Sequence, residues 1–284
     1  MKILLAGASG QLGRQIVALN RRFEVVALSR QDLDISNLSE VSDAVRAHAP
    51  DLVLNAAAFN DVDRAEAAPD AAFLGNAVGP RNLALASAQA GAAILHVSTD
   101  YVFDGAQSVP YHEYDRPAPL SNYGRSKLAG EVAVREANPL HYVVRTAWVY
   151  EPLGNNFPKT LYFLARKHKE VKVVSDVLGS PTSAAHLAQA ILTLVETGAW
   201  GTYHLTGRGE GASWFELASH FFRELRMDVA VLPVPATAYP RPAPRPRYSV
   251  LRTIQQPQIL LPPWQEGIAE FAREIKAKFG DLVP

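Results

Sequence analysis

The chain has 284 residues, 48% of them hydrophobic, with 28 basic and 28 acidic side chains and no cysteine. Balanced charge argues against a nucleic-acid surface or a basic membrane patch, and the missing cysteine removes disulfides, thiolate metal sites and a cysteine nucleophile. No uninterrupted apolar run approaches the ~18–20 residues of a membrane span, and glycines break up the N-terminal run at once, so the expectation is a soluble cytoplasmic protein of one large domain or two smaller ones.

In chain order, the pattern predicts a strand at Ile3–Ala6, a Gly-rich turn and a helix from Leu12 to about Asn20. A strand at Glu24–Ser29, a helix around Leu38–His48, a strand at Leu52–Ala56 and a helix after Asn76 follow. The strands Ala93–Val97 and Tyr142–Arg145 flank the helix Tyr123–Glu136. Near-continuous apolar strands alternating with helices indicate a doubly wound α/β domain, a parallel sheet covered on both faces.

Beyond Val149 the alternation fades into helices at Asn156–Lys167, Ala184–Glu196, Trp214–Glu224 and Gly267–Phe279, with strands near Val171–Val174 and Thr202–Leu205. Nine of the 20 prolines fall between Pro233 and Pro263, which reads as an extended loop packed over a cleft. Asp61, Asp63 and Glu66 read as the acidic first turn of a helix, and His96 and His204 as packed residues. The expected division is a dinucleotide-binding domain over 1–150, to which 184–206 returns, and a smaller, partly interleaved substrate domain from 151–183 and 207–284.

The first turn carries Gly7-Ala8-Ser9-Gly10-Gln11-Leu12-Gly13. Glycines at this spacing let backbone turn tightly, approach a pyrophosphate and pack helix on strand, with the phosphates at the helix N-terminus. After the second strand stands Ser29-Arg30, where an acidic residue would bind ribose hydroxyls and a basic one a 2′-phosphate. This favours NADPH, with NADH the alternative. Asp34-Ile35 follows, where the carboxylate either accepts from adenine or closes a turn.

Tyr123 and Lys127, four residues apart on a helix, share one face. A nearby ammonium lowers a phenol's pKa toward the working range, which suits the pair to proton transfer. Ser98 and Thr99 end an apolar strand, where a hydroxyl can donate to a carbonyl oxygen that gains charge.

Gly7–Gly13, Asn55-Ala56-Ala57-Ala58, Ser98–Gly105 (S-T-D-Y-V-F-D-G) and Tyr123–Glu131 (Y-G-x-S-K-L-x-G-E) resemble the extended short-chain dehydrogenases/reductases. With Arg145–Tyr150 (R-T-x-W-x-Y), Gly179-Ser180-Pro181-Thr182 and Arg245-Pro246 with Ser249 and Leu251, the resemblance sharpens to the dTDP-4-dehydrorhamnose reductase family and spans residues 1 to about 252.

It implies an NADPH-binding Rossmann fold and reduction of the C4 keto group of a nucleotide-linked sugar. Thr99, Tyr123 and Lys127 would be the catalytic residues, with Ala56, Ala57, Ala58 and Asn76 along the cofactor groove. Asp100, Tyr101 and Trp148 would face the sugar, and Asn156 and Arg245 the nucleotide phosphates. Phe59 and Asn60 stand where the family usually has Tyr and Thr, and Gln15 where some members carry a metal-binding glutamate at a dimer interface, so no metal is expected. A homodimer is the expected assembly. Two alternatives stay open: a reductase or epimerase of another nucleotide-linked keto sugar, and a non-catalytic NADP-binding regulatory subunit like the β subunit of methionine adenosyltransferase.

Overall fold

A computed structural model describes residues 1–280. The first half alternates β1 (Lys2–Ala6), α1 (Gln11–Leu19), β2 (Glu24–Leu28), α2 (Leu38–His48) and β3 (Leu52–Asn55). Two short helices, α3 (Arg64–Ala67) and α4 (Pro69–Phe73), lead through a π-helical turn at Leu74–Val78 into α5 (Gly79–Gln89). Then come β4 (Ala93–Thr99), α6 (Asn122–Ala137), β5 (His141–Thr146), β6 (Val149–Tyr150), α7 (Phe157–Ala165), β7 (Glu170–Val174), β8 (Leu178–Gly179) and β9 (Thr182–Ser183). The chain finishes with α8 (Ala184–Leu194), β10 (Gly201–His204), β11 (Ala212–Ser213), α9 (Trp214–Leu225), β12 (Ala230–Val234) and α10 (Trp264–Phe279).

Six strands form one sheet in the order β10-β5-β4-β3-β1-β2, and every pairing is parallel. Alternate residues of β1 serve opposite faces. Ile3 and Leu5 pack with Leu12, Ile16, Leu187 and Ile191 of α1 and α8, whereas Leu4 and Ala6 pack with Val41, Val45, Leu83 and Val134 of α2, α5 and α6. Each such buried aliphatic side chain contributes roughly 1.5–3 kcal/mol. The expected doubly wound sheet is therefore present. Its strand order reverses between β1 and β3, the place where open α/β sheets bind ligands beyond the strands' carboxyl ends.

A second core gathers Leu161, Val171, Val173, Phe221, Phe222, Ile268 and Phe271 from α7, β7, α9 and α10. The Pro-rich stretch crosses between the two cores. Its Tyr248 and Leu251 form bridges to Leu178 and Tyr111, and Ser249 N donates to Leu178 O at 2.8 Å. Among the described residues no helix is long and apolar enough to cross a membrane.

The helix expected after Asn76 is α5, which starts at Gly79 and runs on from α4 through the π-helical turn, where Asn76 is wholly buried. The acidic first turn is met in part: Glu66 lies in the first turn of the four-residue α3 and Asp63 is its N-cap residue, while Asp61 precedes the helix. Asp61 accepts from Arg64 N at 3.0 Å, Glu66 accepts from Asn122 N at 2.7 Å, and Asp63 pairs with Arg245 at 2.9 Å. His96 and His204 are buried, as expected of packed residues.

Candidate active site

The glycine-rich turn is shaped by a close approach of backbones. Gly7 has φ +87°, and a Cβ there would lie 2.5 Å from Ala57 N and 2.7 Å from Ala56 C. Ala56 and Ala57 are held in place by Ala56 N donating to Ala6 O at 2.9 Å and Ala57 N donating to Asn55 Oδ1 at 3.0 Å. A Cβ on Gly13 would run into Gly7 O and Ala8, so this position lets α1 sit tightly on the turn. Gly10 caps α1 without any side-chain acceptor, so no side chain covers the first N–H groups of the helix. Ser9 and Gly10 are exposed. These residues fit a dinucleotide pyrophosphate.

Past β2, Arg30 is exposed. Asp34 Oδ1 accepts from Ser36 N at 3.0 Å and Ser36 Oγ at 2.7 Å, so this oxygen closes the turn toward α2. Ile35 is buried with Leu4, Val41 and Leu83 and packs against Gly79. Ala58 is half-buried in the segment after β3. That segment is clamped by Asn76, whose Oδ1 accepts from Phe59 N at 2.8 Å and whose Nδ2 donates to Phe59 O and Ser126 Oγ, both at 3.0 Å. Asn76 thus ties the segment after β3 to α6.

The hydroxyl cluster forms where β4 meets α6. Ser121 caps α6 by accepting from Gly124 N at 3.1 Å, which aims Tyr123 back at the strand end. Thr99 Oγ1 donates to Asp100 Oδ1 at 3.1 Å and accepts from Tyr101 N at 3.2 Å. The Thr99 hydroxyl also reaches the Tyr123 phenol. Lys127 is 2% exposed, and its Nζ donates to Val97 O at 2.6 Å. The structure thus brings Thr99, Tyr123 and Lys127 together at the carboxyl end of β4.

One electrostatic expectation is corrected. Burial pushes the Tyr123 phenol up to about 12, eased by Thr99 and reinforced by the Asp100 charge; the Lys127 ammonium is not among the groups acting on it. The reason is geometric, since the ammonium is turned to the Val97 carbonyl. Tyr123 is therefore a firmly protonated phenol. Burial also moves Lys127 down to about 8, against the opposing pull of Glu131, and raises Asp100 to about 6 despite hydrogen bonds from Ser249 and Thr99.

The residues expected around a substrate are spread over several partners. Tyr101 packs edge-on against Tyr123 at 5.6 Å. Asp100 is 2% exposed and accepts from Ser249 Oγ at 2.6 Å. Trp148, in a left-handed conformation (φ +47°), stacks on Trp214 with ring centroids 3.4 Å apart. Asn156 caps α7 by accepting from Lys159 N at 3.1 Å and donates to Gln11 Oε1 at 2.9 Å, so its amide ties the 151–156 loop to the glycine-rich turn. In the same loop, Glu151 pairs with Arg14 of α1. The Arg245 guanidinium is held by both Asp63 oxygens, at 3.0 and 2.9 Å. Gln15 lines a cleft with Tyr150, Glu151, Glu270 and Glu274. Among the described residues no group of three or more His, Asp or Glu is placed to hold a metal ion.

Sequence reasoning missed Trp214, whose partner lies 66 positions earlier, and Ser249, which the Pro-rich stretch delivers to Asp100. It also left unexplained the buried carboxylate of Glu131, which binds Ser98 and Arg145. The signals for it were its place at the end of the Y-G-x-S-K-L-x-G-E run and its spacing of one helical turn from Lys127.

The RmlD substrate binding domain family model matches residues 1–277. The chain is 41% identical over 282 residues to dTDP-4-dehydrorhamnose reductase of Sinorhizobium fredii, covering 94% of this chain and 95% of that protein. It is 43% identical over 252 residues to dTDP-4-keto-6-deoxy-D-glucose reductase of Streptomyces niveus, covering 87% of each. The crystal structure of dTDP-4-dehydrorhamnose reductase from Bacillus anthracis in complex with NADP superposes with a TM-score of 0.93 at 38% identity, covering 96% of this chain and 99% of that one. Glycine-rich turn, tyrosine–lysine face and strand-end threonine thus stand in a chain that belongs to the dTDP-4-dehydrorhamnose reductase family.

Proposed function

We propose that the protein is an NADPH-dependent reductase converting the C4 keto group of dTDP-4-dehydro-L-rhamnose to the alcohol of dTDP-L-rhamnose. The observation that carries this is the convergence of Thr99, Tyr123 and Lys127 at the end of β4, beside the Gly7–Gly13 cradle, in a chain of this family. NADPH, when bound, supplies a hydride to the C4 carbon. Tyr123, protonated throughout the neutral range, donates its proton to the carbonyl oxygen. Thr99 turns its hydroxyl hydrogen from Asp100 to the same oxygen and stabilises the charge that develops there. Lys127 holds the nicotinamide ribose, and Gly7, Gly10, Gln11, Leu12 and Gly13 take the pyrophosphate. Arg30 takes the 2′-phosphate, with Asp34, Ile35 and Ala56–Ala58 bordering the rest of the groove.

On the sugar side, Tyr101 and the Trp148 ring form an apolar wall. Asp100 and Ser249 supply its polar groups, and Arg245, held by Asp63, is the cation assigned to the diphosphate. We assign residues 1–150 with 184–206 to the cofactor and the remainder to the substrate. The pairing of β10 with β5 supports this division. A cytoplasmic location is part of the same reading and fits a chain without cysteine. So is a homodimer, for which exposed Leu153, Phe163 and Leu164 on and beside α7 offer apolar surface.

The 43% identity to a dTDP-4-keto-6-deoxy-D-glucose reductase favours a second reading in which the reaction is the same and the sugar differs. The test is NADPH absorbance loss with each of the two keto sugars, in wild type and Tyr123→Phe. Turnover of the rhamnose precursor, lowered about 10²–10⁴-fold by Tyr123→Phe with NADPH affinity kept within about threefold, is the expected outcome. Turnover of only the other sugar selects the second reading. NADPH binding without oxidation by either sugar overturns the enzyme reading in favour of a regulatory subunit.

A further inference from the structure

Glu131 is wholly buried, and so is its partner Arg145, at 2% exposure. Arg145 grips the carboxylate with Nε at 2.9 Å and a terminal nitrogen at 2.8 Å. Arg135 adds a contact at 2.6 Å, and Ser98 Oγ donates to Oε1 at 2.6 Å. Ser98 and Arg145 are register partners on adjacent strands, so one carboxylate on α6 staples the helix to β4 and β5 together. Tyr123, Lys127 and Glu131 follow at intervals of four on α6 and share one face. The residue after Ser98 is Thr99, and the residue before it supplies the carbonyl that holds Lys127.

Burying an ion pair is a poor way to gain stability, since well-packed apolar residues of similar volume do as well or better. The staple is explained by what it does for its neighbours. Turning α6 slightly about its axis, or sliding it along β4, would separate Tyr123 from Thr99 and Lys127 from Val97 O. We propose that Glu131 is a positioning residue of this active site: it fixes the face of α6 that carries Tyr123 and Lys127 against the Ser98–Thr99 strand end, and it stands one helical turn from Lys127 on that same face.

The groups around Lys127 agree with that assignment. Burial disfavours its charge, and Glu131 opposes burial. From β4, His96 faces the same ammonium and is held neutral by burial and by the Lys127 and Arg135 charges. Arg135 and Arg145 flank Glu131 and hold its carboxyl below the ordinary range although burial works the other way. Tyr123 on α6 remains a neutral phenol. Glu131 is thus the anion that acts on Lys127.

The inference rests on the proposed reductase reading, and the experiment separates the two. Four variants are compared with wild type: Glu131→Gln, which keeps the shape and removes the charge; Glu131→Gln with Arg145→Met, which leaves no charge buried alone; Glu131→Asp, which restores the charge; and Ser98→Ala. Folding is checked by circular dichroism. The Lys127 titration is followed in cofactor-free protein by NMR of 13C-labelled lysine, and kcat and KM are measured across pH.

In both Glu131→Gln proteins the Lys127 midpoint and the alkaline limb of kcat move to lower pH by about one unit. At neutral pH kcat falls about tenfold, while KM for the sugar stays within about twofold. Glu131→Asp returns the midpoint toward wild type. Ser98→Ala, whose ion pair is intact, keeps the midpoint and loses about fivefold in kcat. Folded Glu131→Gln proteins with a wild-type midpoint and wild-type kcat overturn the proposal. If the Glu131→Gln proteins do not fold, a Ser98→Ala enzyme with unchanged kcat overturns it. A wild-type protein inactive on every keto sugar nucleotide strikes the reductase reading instead, and the Lys127 titration then decides the positioning role alone.

Discussion

Replacing Gly7 by alanine probes the cradle with a single methyl group. Two costs arise, and the structure separates them. The left-handed φ of +87° disfavours any side chain, at about 1–2 kcal/mol. The new Cβ would also lie 2.5 Å from Ala57 N, about 0.9 Å inside ordinary contact. Its neighbour is backbone, pinned by Asn55 and Ala6, so it cannot swing aside. Overpacking of this kind costs roughly 1–3 kcal/mol. The expected loss is ~2–5 kcal/mol, or a melting temperature lower by roughly 4–20 °C.

Gly91→Ala is the internal control. Gly91 has a similar φ of +70°, but nothing lies within 4 Å of the added Cβ. It should therefore lose only the conformational part, about 1–2 kcal/mol. Urea melts give both numbers, and fluorescence titration gives NADPH affinity. Gly7→Ala should weaken NADPH at least about tenfold, because the backbone that must give way is the cradle itself; Gly91→Ala should leave it unchanged. Equal stability losses in the two variants, or undiminished NADPH affinity in Gly7→Ala, would refute the reasoning.

Further outcomes follow from the same site. Burial raises Asp100 from the ordinary carboxyl value of 3.8 to about 6, so its protonated form favours folding below about pH 4 and this contribution is lost as pH rises through 6. Between pH 4 and pH 8 the stability of Asp100→Asn relative to wild type should therefore rise by up to ~3 kcal/mol, as read from paired urea melts; a pH-independent difference contradicts the raised pKa. Gly179→Ala places a Cβ 2.6 Å from Trp148 Nε1 and must move that ring. It should raise the KM for the sugar nucleotide several-fold while leaving NADPH affinity unchanged, and an unaltered KM would remove Trp148 from the substrate wall.

Period and punctuation made the sheet legible. The apolar runs at Ile3–Ala6, Leu52–Ala56 and Ala93–Val97 read as strands because both of their faces are covered. Tyr123 and Lys127 could be placed on one face because helical geometry links residues four apart without any knowledge of the fold. Partnership between distant segments was not legible. The resemblance set Arg245 toward the nucleotide phosphates, and nothing in the sequence showed that the fold sets it on Asp63, 182 residues earlier. Asn156 has the same amide whether it meets a phosphate or caps a helix, and the choice depends on where α7 starts relative to Gln11. The electrostatics also needed burial. Spacing alone suggests that Lys127 lowers the Tyr123 pKa, but the direction of the ammonium is set by a carbonyl on another strand.

The place of β10 in the sheet bears on how the chain is made. β5 ends at Thr146, yet the strand that covers its outer edge ends at His204, 58 residues later. At a synthesis rate of ~5–20 residues per second, that edge stays bare on the ribosome for roughly 3–12 s. An uncovered strand of Tyr142, Val143 and Val144 is a template for pairing with another nascent chain. The intervening residues are those that build α7, β7 and α8, so β5 keeps an open edge until β10, the last strand of the six-stranded sheet to be synthesised, has emerged.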